Sequence, residues 1–310
     1  MSLDPQVQAY LARLASLNIP SKYELGPEKV RQQARAGSFA LSGEPPAIAK
    51  VEDLVVPGPT GQVPVRVYTP AGSGPFPALL YSHGGGWVNC DLDTHEVICR
   101  SLANGAGCIV VSVDYRQSPE YKFPSGLEDC YAVLTWLAAS AAELNVDPAR
   151  LAVGGDSSGG NFAAALALMA RDRGGPDLAL QLLIYPITDL RLETPSMARN
   201  GTGYALTEED MEWYREQYIR DEADIENPLV SPGLAADLTG LPSAFILTAE
   251  FDPLVDEAEI YGERLAEAGV PVKVSCYDGQ IHGFVRMTAV IDRSYVALAE
   301  CSQVLKLSFK

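Results

Sequence analysis

The chain has 310 residues, with 23 basic against 40 acidic side chains and a formal net charge of −17. Hydrophobic residues make up 47% and charged ones 20%, which is globular usage and excludes wholesale disorder. So acidic a balance argues against nucleic acid, which needs clustered Lys and Arg, and against anionic membrane surfaces. Neutral or cationic small molecules remain as partners.

Residues 1–45 read as two helices before any strand appears, the first with Val7, Leu11 and Leu14 on one face. Their start carries acids where a signal peptide needs bases, and no segment reaches the ~18 apolar residues of a membrane span. Cys90, Cys99, Cys108, Cys130, Cys276 and Cys301 show neither a C-x-x-C pair nor zinc spacing. They read as free thiols in a reducing compartment, so the expected location is cytoplasmic and no metal site is expected.

Val51–Val56 and Val63–Tyr68 are short β-branched segments separated by PGPTGQ, the pattern of an antiparallel hairpin. Apolar runs follow at Ala78–Tyr81, Cys108–Val113, Leu151–Gly154, Leu178–Tyr185, Ala244–Leu247 and Val272–Cys276. They lack polar alternation, as expected of strands covered by helices on both faces. Helical patterns lie between them, at Glu96–Asn104, Leu127–Leu144, Gly160–Arg171 and Asp256–Ala268, with a last one at Tyr295–Leu307. Strand–helix alternation predicts a mostly parallel, doubly wound sheet of eight strands flanked by helices. Residues 187–237 do not fit that alternation and are longer than a connection needs. Together with residues 1–45 they are expected to form a helical cap on a single domain spanning residues 1–310. Leu206, Met211 and Tyr214 lie there at helical spacing and, with Trp87, are candidates for an apolar substrate pocket.

The strongest chemical signal is Gly155-Asp156-Ser157-Ser158-Gly159, directly after one apolar run and before a helical pattern. A G-x-S-x-G match alone is weak, but that context is a nucleophile elbow. The tight strand-to-helix turn forces the middle residue into a strained conformation, and the glycines remove side chains that would clash. The Ser157 hydroxyl is thereby raised at a helix N-terminus. The second signal is His83-Gly84-Gly85-Gly86-Trp87, whose glycines bare successive backbone N–H groups able to hold an oxyanion. Neither glycine cluster has G-x-G-x-x-G or a Walker A lysine, so no nucleotide cofactor is expected.

A serine at neutral pH needs a base, and the chain has three histidines. His83 belongs to the glycine loop and His95 to a helix start. His282 stands in a loop beyond the last strand, well placed to lean over the sheet edge toward Ser157. An acid must fix the imidazole. Asp252 follows the strand Ala244–Leu247, but Glu250, Asp278 and Asp189 also occupy loops near strand ends, and residue logic alone leaves these open.

The order Ser157…Asp252…His282 is that of α/β-hydrolases. With HGGGW, Tyr115–Glu120 (YRQSPE), the GDSSGG elbow, Asp252-Pro253-Leu254 and His282-Gly283-Phe284, the chain resembles the hormone-sensitive-lipase-like family of carboxylesterases, specifically its bacterial and archaeal GDSAG-type esterases. The resemblance runs from about residue 45 to the C-terminus. It implies an α/β-hydrolase fold with a cap, and a serine esterase for short- to medium-chain neutral esters that needs no cofactor. It also implies Asp252 as the acid, an oxyanion hole from Gly85, Gly86 and the N–H of Ser158, and Gly84 shaping that loop. Two departures stand out: Ser158 replaces the usual Ala, and YRQSPE replaces YRLAPE, with Glu120 expected to serve structure near the elbow. An amidase or arylformamidase on the same triad is the alternative enzyme, and a non-turning small-molecule receptor the alternative of another class. Homodimerisation stays open at this level.

Overall fold

The computed structural model describes residues 2–310. Its centre is one eight-stranded sheet in the order β1-β2-β4-β3-β5-β6-β7-β8. The strands are β1 (Lys50–Gly58), β2 (Gly61–Thr69), β3 (Phe76–Ser82), β4 (Ile109–Val113), β5 (Val146–Asp156), β6 (Leu180–Ile184), β7 (Ala244–Phe251) and β8 (Val272–Ile281). β1 and β2 form the expected antiparallel hairpin, closing at Gly58 opposite Gly61, and β2 also runs antiparallel to β4. The remaining pairs are parallel.

Every residue of β3, β4 and β6 is buried, which explains their lack of polar alternation. Alternation still governs them, because each pleat sends neighbouring side chains to opposite cores. Ala78 and Leu80 join the core under α4 (Ser125–Ala139), α5 (Ser158–Arg173) and α8 (Val255–Glu267). Leu79 and Tyr81 join the opposite core, with α3 (Glu96–Ala106) and α9 (Arg293–Ser308).

Three boundaries differ from the sequence expectation by about five residues. The helix expected to reach Leu144 ends at Ala139, and the amides of Glu143 and Leu144 turn back onto the Ser140 carbonyl. β5 starts at Val146 because that residue pairs with Phe76 across a register shift. β8 continues past Cys276 to Ile281, where it pairs with Phe251. His282 is therefore the first residue beyond a strand rather than part of a long loop, and its backbone is held by the sheet.

The segments outside the alternation are helical. α1 (Pro5–Ser16) is capped by the Asp4 carboxylate, which accepts from the Gln6 amide, and it buries Val7. α2 (Lys22–Ser42) is broken at Gly26 (φ 72°, ψ 167°) before Pro27, a residue whose ring and missing N–H disrupt a helix interior. In the second segment, α6 (Pro195–Asn200) and α7 (Glu208–Tyr218) precede two short 3₁₀ turns, Glu222–Glu226 and Pro232–Leu234. Thr207 and Asp210 make a reciprocal capping box that fixes the start of α7. The two segments meet where Lys22 pairs with Asp210 at 2.6 Å. Among the described residues no helix is long and apolar enough to cross a membrane.

Candidate active site

Ser157 stands between the end of β5 and the start of α5, at φ 57° and ψ −120°. A non-glycine residue in such a region costs about 1–3 kcal/mol and persists only where its surroundings over-determine it. Here they do: its amide donates to the Ile184 carbonyl at 2.9 Å, and its own carbonyl accepts from Asn161 at 3.0 Å. The flanking glycines are required sterically. A Cβ on Gly155 or Gly159 would overlap the Ser82 carbonyl, so strand, elbow and glycine loop approach more closely than any side chain permits.

His282 Nε2 lies 2.9 Å from Ser157 Oγ, and His282 Nδ1 lies 2.6 Å from Asp252 Oδ2. A carboxylate on Nδ1 fixes the tautomer in which Nε2 accepts the serine proton. Asp252 is fully buried, its other oxygen accepting from the Leu254 amide at 2.9 Å as α8 begins. Its two oxygens are therefore both engaged, one by the Leu254 amide and one by His282. Two of the competing acids are engaged elsewhere. Glu250 accepts from the Gly279 amide, Asp189 pairs with Arg191, and neither touches His282.

The glycine loop leaves β3 with Gly85 at φ 123°, Gly86 at φ 59° and Trp87 at φ 62°. Its turn is closed by Val88 and Asn89 amides donating to the Gly85 carbonyl. The amides of Gly85, Gly86 and Ser158 meet no acceptor among the described residues. Gly84 differs from them, donating its N–H to Asp156 Oδ1 at 3.0 Å, so it shapes the loop and its amide is not free for an oxyanion. The Ser158 hydroxyl, the departure from the usual Ala, accepts from the Trp87 amide at 3.2 Å and so ties loop to elbow.

The four pocket candidates are distributed differently from the expectation. Trp87 and Met211 are each 1% exposed and belong to the core, Trp87 stacked on Tyr218 with ring centroids 4.0 Å apart. Leu206 is partly buried against the same core. Tyr214 reaches the site: a Cβ on Gly86 would overlap its ring, and its hydroxyl accepts from Asn89 at 2.9 Å. Spacing along α7 correctly marks an inward face, but most of that face packs as core. A cavity of about 570 Å³ opens beside this region, bounded by Leu11, Leu14, Ile19, Leu25, Ala205 and Lys22. Lys22 Nζ lies 5.3 Å from the Tyr214 ring centroid, which places that cavity next to the glycine loop's prop.

Among the described residues Glu120 bonds to a side chain of α2 and to no residue of the elbow. It holds Arg31 of α2, whose guanidinium also donates to the carbonyls of Val88 and Ser118 at 2.8 Å each. Arg31 carries no signal in the sequence, 57 positions away from Val88. Asp156, Tyr81, His95 and Tyr115 were likewise without a role, although Asp156 and Tyr115 lie inside quoted motifs. The Tyr115 hydroxyl donates to the His83 carbonyl at 2.7 Å and its ring stacks on the His83 imidazole.

The sequence profile of the α/β hydrolase fold family matches residues 79–286. The chain is 43% identical to the carboxylic ester hydrolase LipN of Mycobacterium tuberculosis over 83% of this chain and 70% of that one. It is 36% identical to an ethyl acetate hydrolase of Pseudomonas putida over 99% of both. A hyperthermophilic esterase from Pyrobaculum calidifontis superposes with a TM-score of 0.94 at 39% identity, over 99% of each chain. This protein belongs to the α/β-hydrolase fold family, and its resemblance to the hormone-sensitive-lipase-like esterases holds over nearly its whole length.

Proposed function

We propose that this protein is a serine carboxylesterase acting on neutral esters of short to medium chain length. The observation that carries the reading is the unbroken chain Ser157 Oγ, His282, Asp252, at 2.9 and 2.6 Å. In the reaction, Ser157 Oγ attacks the ester carbonyl carbon as its proton passes to His282 Nε2. The carbonyl oxygen becomes an oxyanion, received by the amides of Gly85, Gly86 and Ser158. Collapse of the tetrahedral species breaks the bond to the alcohol, which leaves with the proton from His282. Water, deprotonated by the same imidazole, then releases the acid and restores Ser157. Asp252 keeps its charge throughout and stabilises the imidazolium.

The relatives named for ester hydrolysis, one of them for ethyl acetate, support small esters as substrates. Residues 1–45 and 187–237 act as the cap of a single domain on this reading, with the Lys22–Asp210 pair joining them in support. Six cysteines without a disulfide support a reducing, cytoplasmic location.

Hydrolysis of p-nitrophenyl butyrate by the wild type, abolished by Ser157→Ala in a folded protein, is the expected result. Full residual activity of that variant would overturn the assignment. A series of acyl lengths tests the substrate class: emulsified long-chain triglyceride turned over faster than four- to eight-carbon esters would refute it.

A further inference from the structure

Beneath the proposed oxyanion hole lies a buried carboxylate that the triad does not use. Asp156 immediately precedes Ser157 and is 2% exposed. Its Oδ1 accepts from both the Tyr81 hydroxyl at 2.8 Å and the Gly84 amide at 3.0 Å. His95 Nε2 stands within 3.2 Å of one oxygen and 3.3 Å of the other. His95 is itself held through Nδ1, 3.0 Å from the Thr94 hydroxyl, so the imidazole is fixed at both ends. Burial alone would push the Asp156 carboxyl up, but His95, Tyr81 and the nearby Arg286 guanidinium outweigh it and hold the group well below the usual carboxylate range. Asp156 is therefore an anion at any pH where the serine works.

Gly84 packs directly on this anion: a Cβ there would lie 2.5 Å from Asp156 Oδ2. The Gly84 amide is the first N–H of the glycine run and the one that is already engaged. The two after it are free.

We propose that Asp156 is a positioning residue for the oxyanion hole: its carboxylate, oriented by Tyr81 and His95, grips the Gly84 amide and so sets the direction of the Gly85 and Gly86 amides. Because Asp156 and Ser157 share a peptide bond, nucleophile and oxyanion donors are referenced to the same point on the strand. Oxyanion stabilisation depends on donors being in place before charge develops, so such a grip acts on the transition state and not on ground-state binding. The proposal rests on Ser157 being the nucleophile of an esterase.

The test is Asp156→Asn, with Tyr81→Phe as a milder variant that keeps the ring and removes one donor. Active sites are first counted by stoichiometric fluorophosphonate labelling. Turnover of p-nitrophenyl butyrate per labelled site is then measured with KM, alongside the inhibition constant of an alkyl trifluoromethyl ketone that forms a tetrahedral adduct. Misplacement of reacting groups by about 1 Å costs about 10²-fold, so Asp156→Asn is expected to lower kcat by about that factor with KM little changed. The ketone should weaken in parallel, and Tyr81→Phe should show a smaller loss in the same direction. A kcat per labelled site within twofold of wild type in both variants would overturn the proposal, whatever their thermal stability. Wild-type protein that hydrolyses no ester and takes no label would instead overturn the esterase assignment beneath it.

Discussion

Arg31 donates its Nε–H to the carbonyl of Val88 at 2.8 Å, one residue past the HGGGW loop. A helix that precedes the whole sheet in sequence thus holds the far end of the glycine loop, while Asp156 meets its near end. The same guanidinium takes the Ser118 carbonyl and both oxygens of Glu120. Arg31→Met is expected to keep the packing of the stem and lose those bonds, at a cost of about 1–3 kcal/mol. Urea unfolding and steady-state kinetics should show lower stability together with a reduced kcat. Glu120→Gln should cost less, because the carboxylate is 53% exposed and solvent screens the pair. A larger loss for Glu120→Gln than for Arg31→Met would contradict this ranking.

Gly86 and Tyr214 give a second prediction. Gly86→Ala meets the Tyr214 ring and also places a Cβ at φ 59°, so the loop has to move. A loss of about 10²-fold or more in kcat is expected, as for removal of an oxyanion donor. Adding Tyr214→Ala removes the obstacle but not the backbone strain. The double variant should recover part of the rate, and a double variant no better than Gly86→Ala would show that the ring is not what enforces glycine.

Glu257 is 3% exposed, with one oxygen accepting from the amides of Thr188 and Asp189 and the other without a partner among the described residues. Burial, with Asp189 and Asp252 nearby, pushes its carboxyl well above the ordinary value. A carboxyl raised on folding contributes stability that is whole below its unfolded value and is lost as pH rises toward the folded one. The loss runs at about 1.4 kcal/mol per pH unit across that window. Glu257→Gln keeps the accepting oxygen and cannot ionise. Its unfolding free energy should match wild type near pH 4.5 and exceed it at pH 8, and equal values at both pH would refute the shift.

His83 works in the opposite direction. Burial, reinforced by His95, pulls its imidazole down to about 4. Nδ1 faces the Gly84 carbonyl at 2.8 Å and so carries the proton, while Nε2 is buried without a partner among the described residues. A histidine lowered on folding contributes stability that is whole above its unfolded value, near 6.5, and is lost as pH falls toward about 4. The unfolding free energy should therefore decline by about 1.4 kcal/mol per pH unit between those limits from this group alone. His83→Gln should flatten that slope in unfolding titrations from pH 7 to pH 4.5, and an unchanged slope would assign it elsewhere.

The eight strands and their hairpin start were legible because buried parallel strands write themselves as short apolar runs between turns. Ser157, His282 and the glycine loop were legible because their chemistry demands particular residue types in particular contexts. Asp252 was not distinguishable from Glu250 on residue logic, since both end the same strand; the fold separates them by aiming one at His282 and the other at Gly279. Trp87 and Met211 show the limit of the pattern, because an inward helical or loop face looks alike whether it lines a pocket or packs as core, and both side chains are buried. Arg31 was invisible, as a lone cation on a helix says nothing of carbonyls far along the chain. Asp156 hid in plain view: inside the elbow motif, its side chain points to the neighbouring loop and not to the reaction.

The break in α2 at Gly26 divides two moorings. Lys22 lies before it, tied to Asp210 across the two helical segments, and Arg31 lies after it, tied to the glycine loop. One half of α2 is thus fastened to the second helical segment and the other half to the loop beside Ser157, so a single helix ties together two parts of the chain that lie far apart in sequence.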